Sequence, residues 1–246
     1  LFDNEFGMYA EGPMVYDAFP RAWLGDMVAA GYDGVAADAL KEALDRGAAT
    51  SLFLQSPSGE LPCGGRSCQH VWADALQCAI FELAAARAVR DEDMQLAGMY
   101  KRAARRALKA IRFWQRPTGE FWIVKNRSDP SWRHGYEMYS SHSQYNLLTL
   151  TALGYAYQHA GATEHVDEQT TPPEEGHYIV DLPKPFSKVV AGNAGTQVVV
   201  ARAREGNSTP AGLLRVHFHD GVPQLGPSDG VLAETEKADG AGGRAT

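Results

Sequence analysis

A glycine-rich stretch, residues 59–74, gathers polar side chains that could bind and cleave an acidic sugar. Arg66 can form two parallel hydrogen bonds with a carboxylate. Trp72 offers a flat apolar face on which a sugar ring can stack. His70 and Asp74 are four residues apart, which places them one helical turn from each other and within reach of proton transfer. This mixture of residue types favours a carbohydrate-active enzyme.

A second polar cluster, residues 136–146, repeats this mixture further along the chain. Residues 125–134 just before it are locally basic within an acidic protein, which suits an anionic saccharide. In this half of the chain the predicted catalytic residues are Glu137, Tyr139 and His142, and the predicted substrate-binding residues are Trp122, Gln144, Tyr145 and Asn146.

Two mechanisms compete for these residues. Hydrolysis needs one protonated and one ionised carboxyl group on either side of the glycosidic bond. Asp17, Asp74 and Glu137 are the candidates for these roles, and Glu11 and Glu60 are reserves.

Elimination instead removes the proton beside a uronate carboxylate, so it needs groups that neutralise the carboxylate, a base and an acid. The candidates are Arg66, Gln69 and Asn146 for neutralisation, His142 or His70 as the base, and Tyr139 or Tyr145 as the acid. A third hypothesis is a non-catalytic glycan-binding fragment, in which the rings and arginines bind sugar and the carboxylates are structural.

Composition restricts the partners. The net charge of −7 over 246 residues argues against nucleic acid, whose binding proteins concentrate Lys and Arg on one face. No apolar run is long enough to cross a bilayer, so no membrane partner is predicted. The cysteines form no CxxC pair, and His217 and His219 lack a third ligand nearby, so neither a metal nor another cofactor is predicted. The predicted partner is an acidic oligo- or polysaccharide.

The chain divides into two regions of different periodicity. Apolar residues follow a helical period up to about residue 160, whereas four Val-rich segments, 177–182, 187–191, 196–203 and 212–219, alternate as strands do. An acidic, proline-bearing segment between the regions indicates a linker. The predicted boundaries are 1–162 for the helical domain, 163–176 for the linker, 177–233 for the start of a β-domain and 234–246 for a flexible tail.

One phrase occurs twice in the helical region. Residues 55–60 read Gln-Ser-Pro-Ser-Gly-Glu, and residues 115–120 read Gln-Arg-Pro-Thr-Gly-Glu. In each copy the proline ends a helix, the glycine permits a turn, and a polar loop leads to the next helix. Helix pairs with equivalent loops on one rim are typical of an (α/α) toroid.

Three motifs occur in order: Tyr-Asp-Ala-Phe-Pro-Arg at 16–21, Gly-Gly-Arg-Ser-Cys-Gln at 64–69, and His-Ser-Gln-Tyr-Asn-Leu at 142–147. Their order and spacing resemble the heparinase II/III-like superfamily of (α/α) toroid enzymes, closest to its β-glucuronidase and glucuronate-lyase branches. The resemblance implies a toroid followed by an antiparallel, sandwich-like β-domain. It also places hydrolytic removal of glucuronate narrowly ahead of elimination.

The resemblance spans residues 9 to about 230 and has two departures. Ala18 stands where a histidine is expected, and Asp74 stands where glutamate is usual. A complete toroid needs around a dozen helices, but the periodicity here supports five or six. We therefore expect the chain to be a piece of a larger enzyme, without its native N-terminus, whose exposed apolar helix faces favour association.

Overall fold

A computed structural model describes residues 2–3, 5–10, 15–61, 64–65, 67–125, 142–205, 209–219 and 221. The helices are α1 Val15–Ala29, α2 Ala37–Leu54, α3 Val71–Arg90, α4 Met94–Phe113, α5 His142–Ala160 and the short α6 Pro172–Glu175. The strands are β1 Gly176–Leu182, β2 Lys188–Asn193, β3 Thr196–Ala201 and β4 Gly212–Phe218. None of the helices among these residues is both long and apolar enough to cross a membrane.

Helix α3 forms the centre of the helical part. It packs against α1, α4 and α5, and its residues from Val71 to Ala88 are buried. Its alanine-rich sequence favours the helix and lets the neighbouring helices approach closely. The N terminus of α4 is capped by Asp93, whose carboxylate accepts a hydrogen bond from the Leu96 amide.

The four strands form one antiparallel sheet in the order β1-β2-β3-β4. Ala194 and Gly195, both with positive φ, form the two-residue turn between β2 and β3. The inner face of the sheet packs on the end of α2 through a separate apolar cluster comprising Met8, Leu54, Leu182, Phe186, Val190, Val199, Ala201 and Leu214.

The prediction of a helical region followed by an antiparallel sheet is confirmed, and each strand ends within two residues of its expected bounds. The closed toroid, the sandwich and the division into domains stay predictions. The segment predicted as a linker packs on α4, because Lys101 Nζ donates hydrogen bonds to the carbonyl groups of Thr163 and Val166 at 2.8 and 2.6 Å. The predicted tail, 234–246, lies outside the described residues.

Candidate functional site

The repeated phrase folds into the same turn twice. The amide of Ser56 donates to the carbonyl of Glu60 at 2.9 Å, and the amide of Arg116 donates to the carbonyl of Glu120 at 2.7 Å. The side chains of the two leading glutamines, Gln55 and Gln115, donate to the carbonyl of the turn glycine at 3.1 and 2.9 Å. The repeat is therefore a repeat of structure as well as of sequence.

The loops that follow the two turns pair with each other. His70 and Val124 form an antiparallel bridge, and the Lys125 amide donates to the Gln69 carbonyl at 2.7 Å. This bridge brings Lys125 from the second loop beside the start of α3. Lys125 consequently meets polar residues of the first loop.

The start of α5 contacts both loops. The ring of Tyr145 meets the ring of His70 edge to face, with 4.9 Å between their centroids. Asn146 accepts a hydrogen bond from the Phe121 amide at 2.7 Å and donates one to its carbonyl at 3.1 Å. The predicted site residues Gln69, His70, Tyr145 and Asn146 thus lie together.

Three ionisable side chains meet at the bridge. Lys125 Nζ lies 2.6 Å from Asp74 Oδ2 and 3.5 Å from Glu60 Oε1. Their side chains are buried, with 3% or less of each exposed. Asp74 also accepts a hydrogen bond from the Leu61 amide through Oδ1, at 2.6 Å. Two carboxyl groups therefore share one ammonium group away from solvent.

Strand β4 closes the cluster from the other side. His217 Nδ1 lies 3.8 Å from Glu60 Oε2, and Arg215 is buried nearby. Within the described part of the chain, Nε and Nη2 of Arg215 and Nε2 of His217 have no hydrogen-bond partner. We refer to Glu60, Asp74, Lys125, Arg215 and His217 as the junction cluster.

Burial and charge shift the pKa values of this cluster in different directions. Burial raises the pKa of Glu60 and outweighs the opposing charge of Lys125. Burial alone would lower the pKa of Lys125, but Asp74 and Glu60 raise it. Burial, together with the charges of Arg215 and Lys125, lowers the pKa of His217 to about 3. The cluster thus places a carboxyl group of raised pKa, Glu60, beside the ion-paired carboxylate of Asp74.

His70 and Trp72 form a fixed pair. Trp72 Nε1 donates a hydrogen bond to His70 Nδ1 at 2.7 Å, and burial lowers the pKa of His70 to about 3. The imidazole is therefore neutral, with its proton on Nε2. Trp72 is itself buried, with its ring edge to face against Tyr16 and Phe19. In this arrangement its face is packed against protein.

Asp17 belongs to a different contact. It forms a two-point ion pair with Arg21, at 2.6 and 2.8 Å, and accepts a hydrogen bond from the Tyr9 amide. Arg21 in turn donates to the carbonyl groups of Gly7 and Leu44. This buried pair joins α1 to α2 and to the N-terminal segment.

The remaining predicted residues are distributed as follows. The half-buried ring of Trp122 lies under the guanidinium of Arg116, 4.0 Å from its centroid. Gln144 is exposed on the first turn of α5. Arg66, Glu137, Tyr139 and the reserve acid Glu11 lie outside the described residues, as does the side chain of His142, the first residue of α5.

The central positions of Glu60 and Lys125 were not anticipated, although the repeat contained a signal. In the second turn Arg116 pairs with Glu120 at 2.8 Å. In the first turn Ser56 occupies the position of Arg116, so Glu60 has no cation within its own turn. The cation comes from the other loop, as Lys125.

No family model, curated protein or solved structure matches the chain. Within the described ranges, no group of three or more His, Cys, Asp or Glu is arranged to hold a metal ion. The functional interpretation therefore depends on the geometry of the junction cluster and of its surroundings.

Proposed function

We propose that this chain is part of an (α/α) toroid enzyme that hydrolyses glycosidic bonds in a glucuronate-containing glycan. The observation that carries the proposal is the shared contact of Glu60 and Asp74 with Lys125 Nζ. Glycoside hydrolysis needs two nearby carboxyl groups in different protonation states. Burial raises the pKa of Glu60 beside the ion-paired Asp74, which favours Glu60 as the proton donor of the pair.

Each member of the cluster then has a role. Glu60 donates its proton to the leaving oxygen, and Asp74 acts as the base or nucleophile. Lys125 holds Asp74 in its charged form, while Arg66 binds the uronate carboxylate. Because the cluster is buried, a sugar must replace part of the loop contacts that cover it.

Elimination with His70 as the base is less well supported. Its Nδ1 already accepts a hydrogen bond from Trp72, and its pKa is lowered to about 3. A group with so low a proton affinity is a weak base at neutral pH. Elimination would then depend on His142 as the base, with Tyr139 or Tyr145 as the acid.

A non-catalytic glycan-binding protein is the second candidate. Complete burial of Glu60, Asp74 and Lys125 favours it, because buried ion clusters often join parts of a fold instead of reacting. Under this hypothesis the three residues hold the two loops together, and exposed polar side chains around them bind the sugar.

The test measures products from a glucuronate-rich oligosaccharide. Hydrolysis raises the concentration of reducing ends without ultraviolet absorbance, whereas elimination also creates an unsaturated, absorbing uronate. Glu60→Gln and Asp74→Asn should each reduce hydrolysis by roughly a hundredfold or more. Glu120→Gln, at the equivalent position of the exposed second turn, should leave it unchanged.

Circular dichroism melting of each variant separates loss of chemistry from loss of fold. Full turnover by folded Glu60→Gln and Asp74→Asn would remove both from the mechanism. Absence of both products, with the oligosaccharide still bound, would leave the binding protein as the function.

A further inference from the structure

A groove runs along one face of helix α4, and no residue of the junction cluster lines it. It encloses about 570 Å³. Four cationic side chains line it at positions i, i+3, i+4 and i+7 of the helix: Arg102, Arg105, Arg106 and Lys109. Such spacing places all four on the same side of a helix.

The carboxylates in the groove are already engaged. Glu174 lies 2.6 Å from Arg102 and 2.5 Å from Arg106. Glu168 lies 3.3 Å from Arg102 and 3.0 Å from Arg105. Burial alone would raise the pKa of Glu174, but hydrogen bonds from Arg102 and Thr171 and the charge of Arg106 lower it to about 2.

Two cationic groups of the groove remain available. Arg105 contacts Glu168 through Nε and not through its terminal nitrogens, and Lys109 forms no ion pair among the described residues. Both side chains are exposed. Four cations face two carboxylates, so the groove has an excess of positive charge within a chain of net charge −7.

The groove also has an apolar floor and an extension. Ala110 and half-buried Phe113 line the floor. A second hollow of about 430 Å³ shares Arg105, Lys109 and Phe113 with the first, and adds Arg112. At 1.5 Å per residue, Arg102 and Arg112 are about 15 Å apart along the helix axis. The positive charges are thus spread along an elongated surface.

We propose that the α4 groove binds an acidic oligosaccharide through the carboxylate groups of the sugar, at a site formed by residues other than the junction cluster. Guanidinium groups bind carboxylates in a two-point geometry, and Phe113 offers a ring for the apolar face of a sugar. A volume of this size suits a small ligand. The preference for an anion rests on the groove alone, whereas the choice of an acidic saccharide rests on the proposed function.

Calorimetric titration tests the proposal with three probes: a hexasaccharide that alternates glucuronate with a neutral sugar, a neutral hexasaccharide, and inorganic sulfate. The acidic hexasaccharide should bind most tightly, and its affinity should fall as salt is added. The double variant Arg105→Gln with Lys109→Gln should bind it roughly tenfold more weakly. The matched control, Lys41→Gln with Lys184→Gln, removes the same charge from exposed positions elsewhere and should bind as the unmodified protein does.

Equal loss in the two double variants would overturn the proposal, because it would show an effect of net charge alone. Equal binding of the acidic and neutral hexasaccharides, or binding of sulfate only, would also overturn it. Cleavage of the glycan with unchanged binding by the groove variant would refute the groove and leave hydrolysis standing. Binding that depends on the groove residues, without cleavage, would support the groove and refute hydrolysis.

Discussion

Lys125 is the residue on which the junction cluster depends. Two carboxyl groups lie within 3.5 Å of its ammonium group, and all three side chains are buried. Without the cation, Glu60 and Asp74 would face each other in a medium that neither screens nor hydrates them. Removing one partner of a buried ion pair is therefore far more costly than removing an exposed one.

Lys125→Met should lower the free energy of unfolding by about 3 to 5 kcal/mol at neutral pH, measured by urea denaturation. The control is Lys109→Met, at an exposed position with no described ion pair, which should stay within about 0.5 kcal/mol of the unmodified protein. Similar values for the two variants would contradict the central role of Lys125.

His217 should make stability depend on pH. Its pKa is lowered to about 3 in the folded protein, whereas the ordinary value of 6.5 applies to the unfolded chain. Below pH 6.5 the unfolded chain therefore binds a proton at His217 that the folded chain does not bind. The contribution of neutral His217 to stability is fully present above the unfolded pKa and is lost as the pH falls below it. From pH 7 to pH 5 the loss is about 2 kcal/mol.

His217→Gln should flatten this part of the curve. Glu60, Arg215 and Lys125 face the imidazole and titrate or hold charge in both proteins, so the difference between the two denaturation series isolates His217. Parallel series would show that His217 does not keep a lowered pKa.

For individual residues, the sequence predicted which side chains belong to the site better than it predicted which side chains they contact. Gln69, His70, Tyr145 and Asn146 were predicted to share a site, and they lie together. Glu60 was only a reserve, because its cation lies 65 positions along the chain at Lys125. Ion pairs between distant residues leave no periodic signal in a sequence.

The turn between helices is the element that the chain uses twice. Gly59 and Gly119 both have positive φ, at 93° and 98°. They differ in surroundings, because a Cβ on Gly59 would lie 2.3 Å from the Arg106 carbonyl oxygen, whereas one on Gly119 would meet nothing within 4 Å. The two positions therefore separate backbone strain from steric overlap.

Gly119→Ala should cost about 1 to 2 kcal/mol of unfolding free energy, from the left-handed backbone alone. Gly59→Ala should cost about 1 to 3 kcal/mol more, because α4 must move away from the turn. Thermal or urea unfolding of both variants measures the difference. Equal losses would mean that the first turn does not pack on α4 as described.

Helices and strands with a clear periodicity of apolar residues could be predicted from the sequence, but the way in which these elements pack together could not. The Val-rich alternation located all four strands, since their side chains divide between two faces. The segment 163–176 is polar and proline-bearing, which indicated a linker, yet buried Lys101 and partly exposed Arg102 hold it against α4. These contacts provide hydrogen-bond donors to backbone carbonyl groups and to carboxylates. The spacing of apolar residues in a sequence carries no information about such contacts.

At the scale of the molecule, the sheet and the helices are joined by buried polar contacts as well as apolar ones. Gln197 on β3 donates to the carbonyl of Gln55 at 2.9 Å, just beyond the end of α2, and contacts the Tyr178 hydroxyl at 3.0 Å. The Gly65 amide donates to Thr209 Oγ1 at 2.9 Å. These contacts predict that the two regions unfold together.

Gln197→Ala tests this coupling. All five tryptophans precede the sheet in sequence, so their fluorescence reports on the helical region. The substitution should nevertheless lower the unfolding free energy seen by tryptophan fluorescence by about 1 to 2 kcal/mol, because it leaves carbonyl groups at the end of α2 without a donor. Gln158→Ala, at an exposed position on α5, is the control and should change little. An unchanged fluorescence transition in Gln197→Ala would mean that the regions unfold separately.

The partners in these contacts lie far apart along the chain. Gly65 meets Thr209 across 144 positions, and Gln55 meets Gln197 across 142. During synthesis the ribosome therefore exposes Glu60, Lys125 and the end of α2 well before β3 and β4 emerge to cover them. Until translation passes His217, the nascent helical region therefore exposes charged groups and apolar helix ends that the sheet later covers, and exposed apolar surface of this kind favours association between chains.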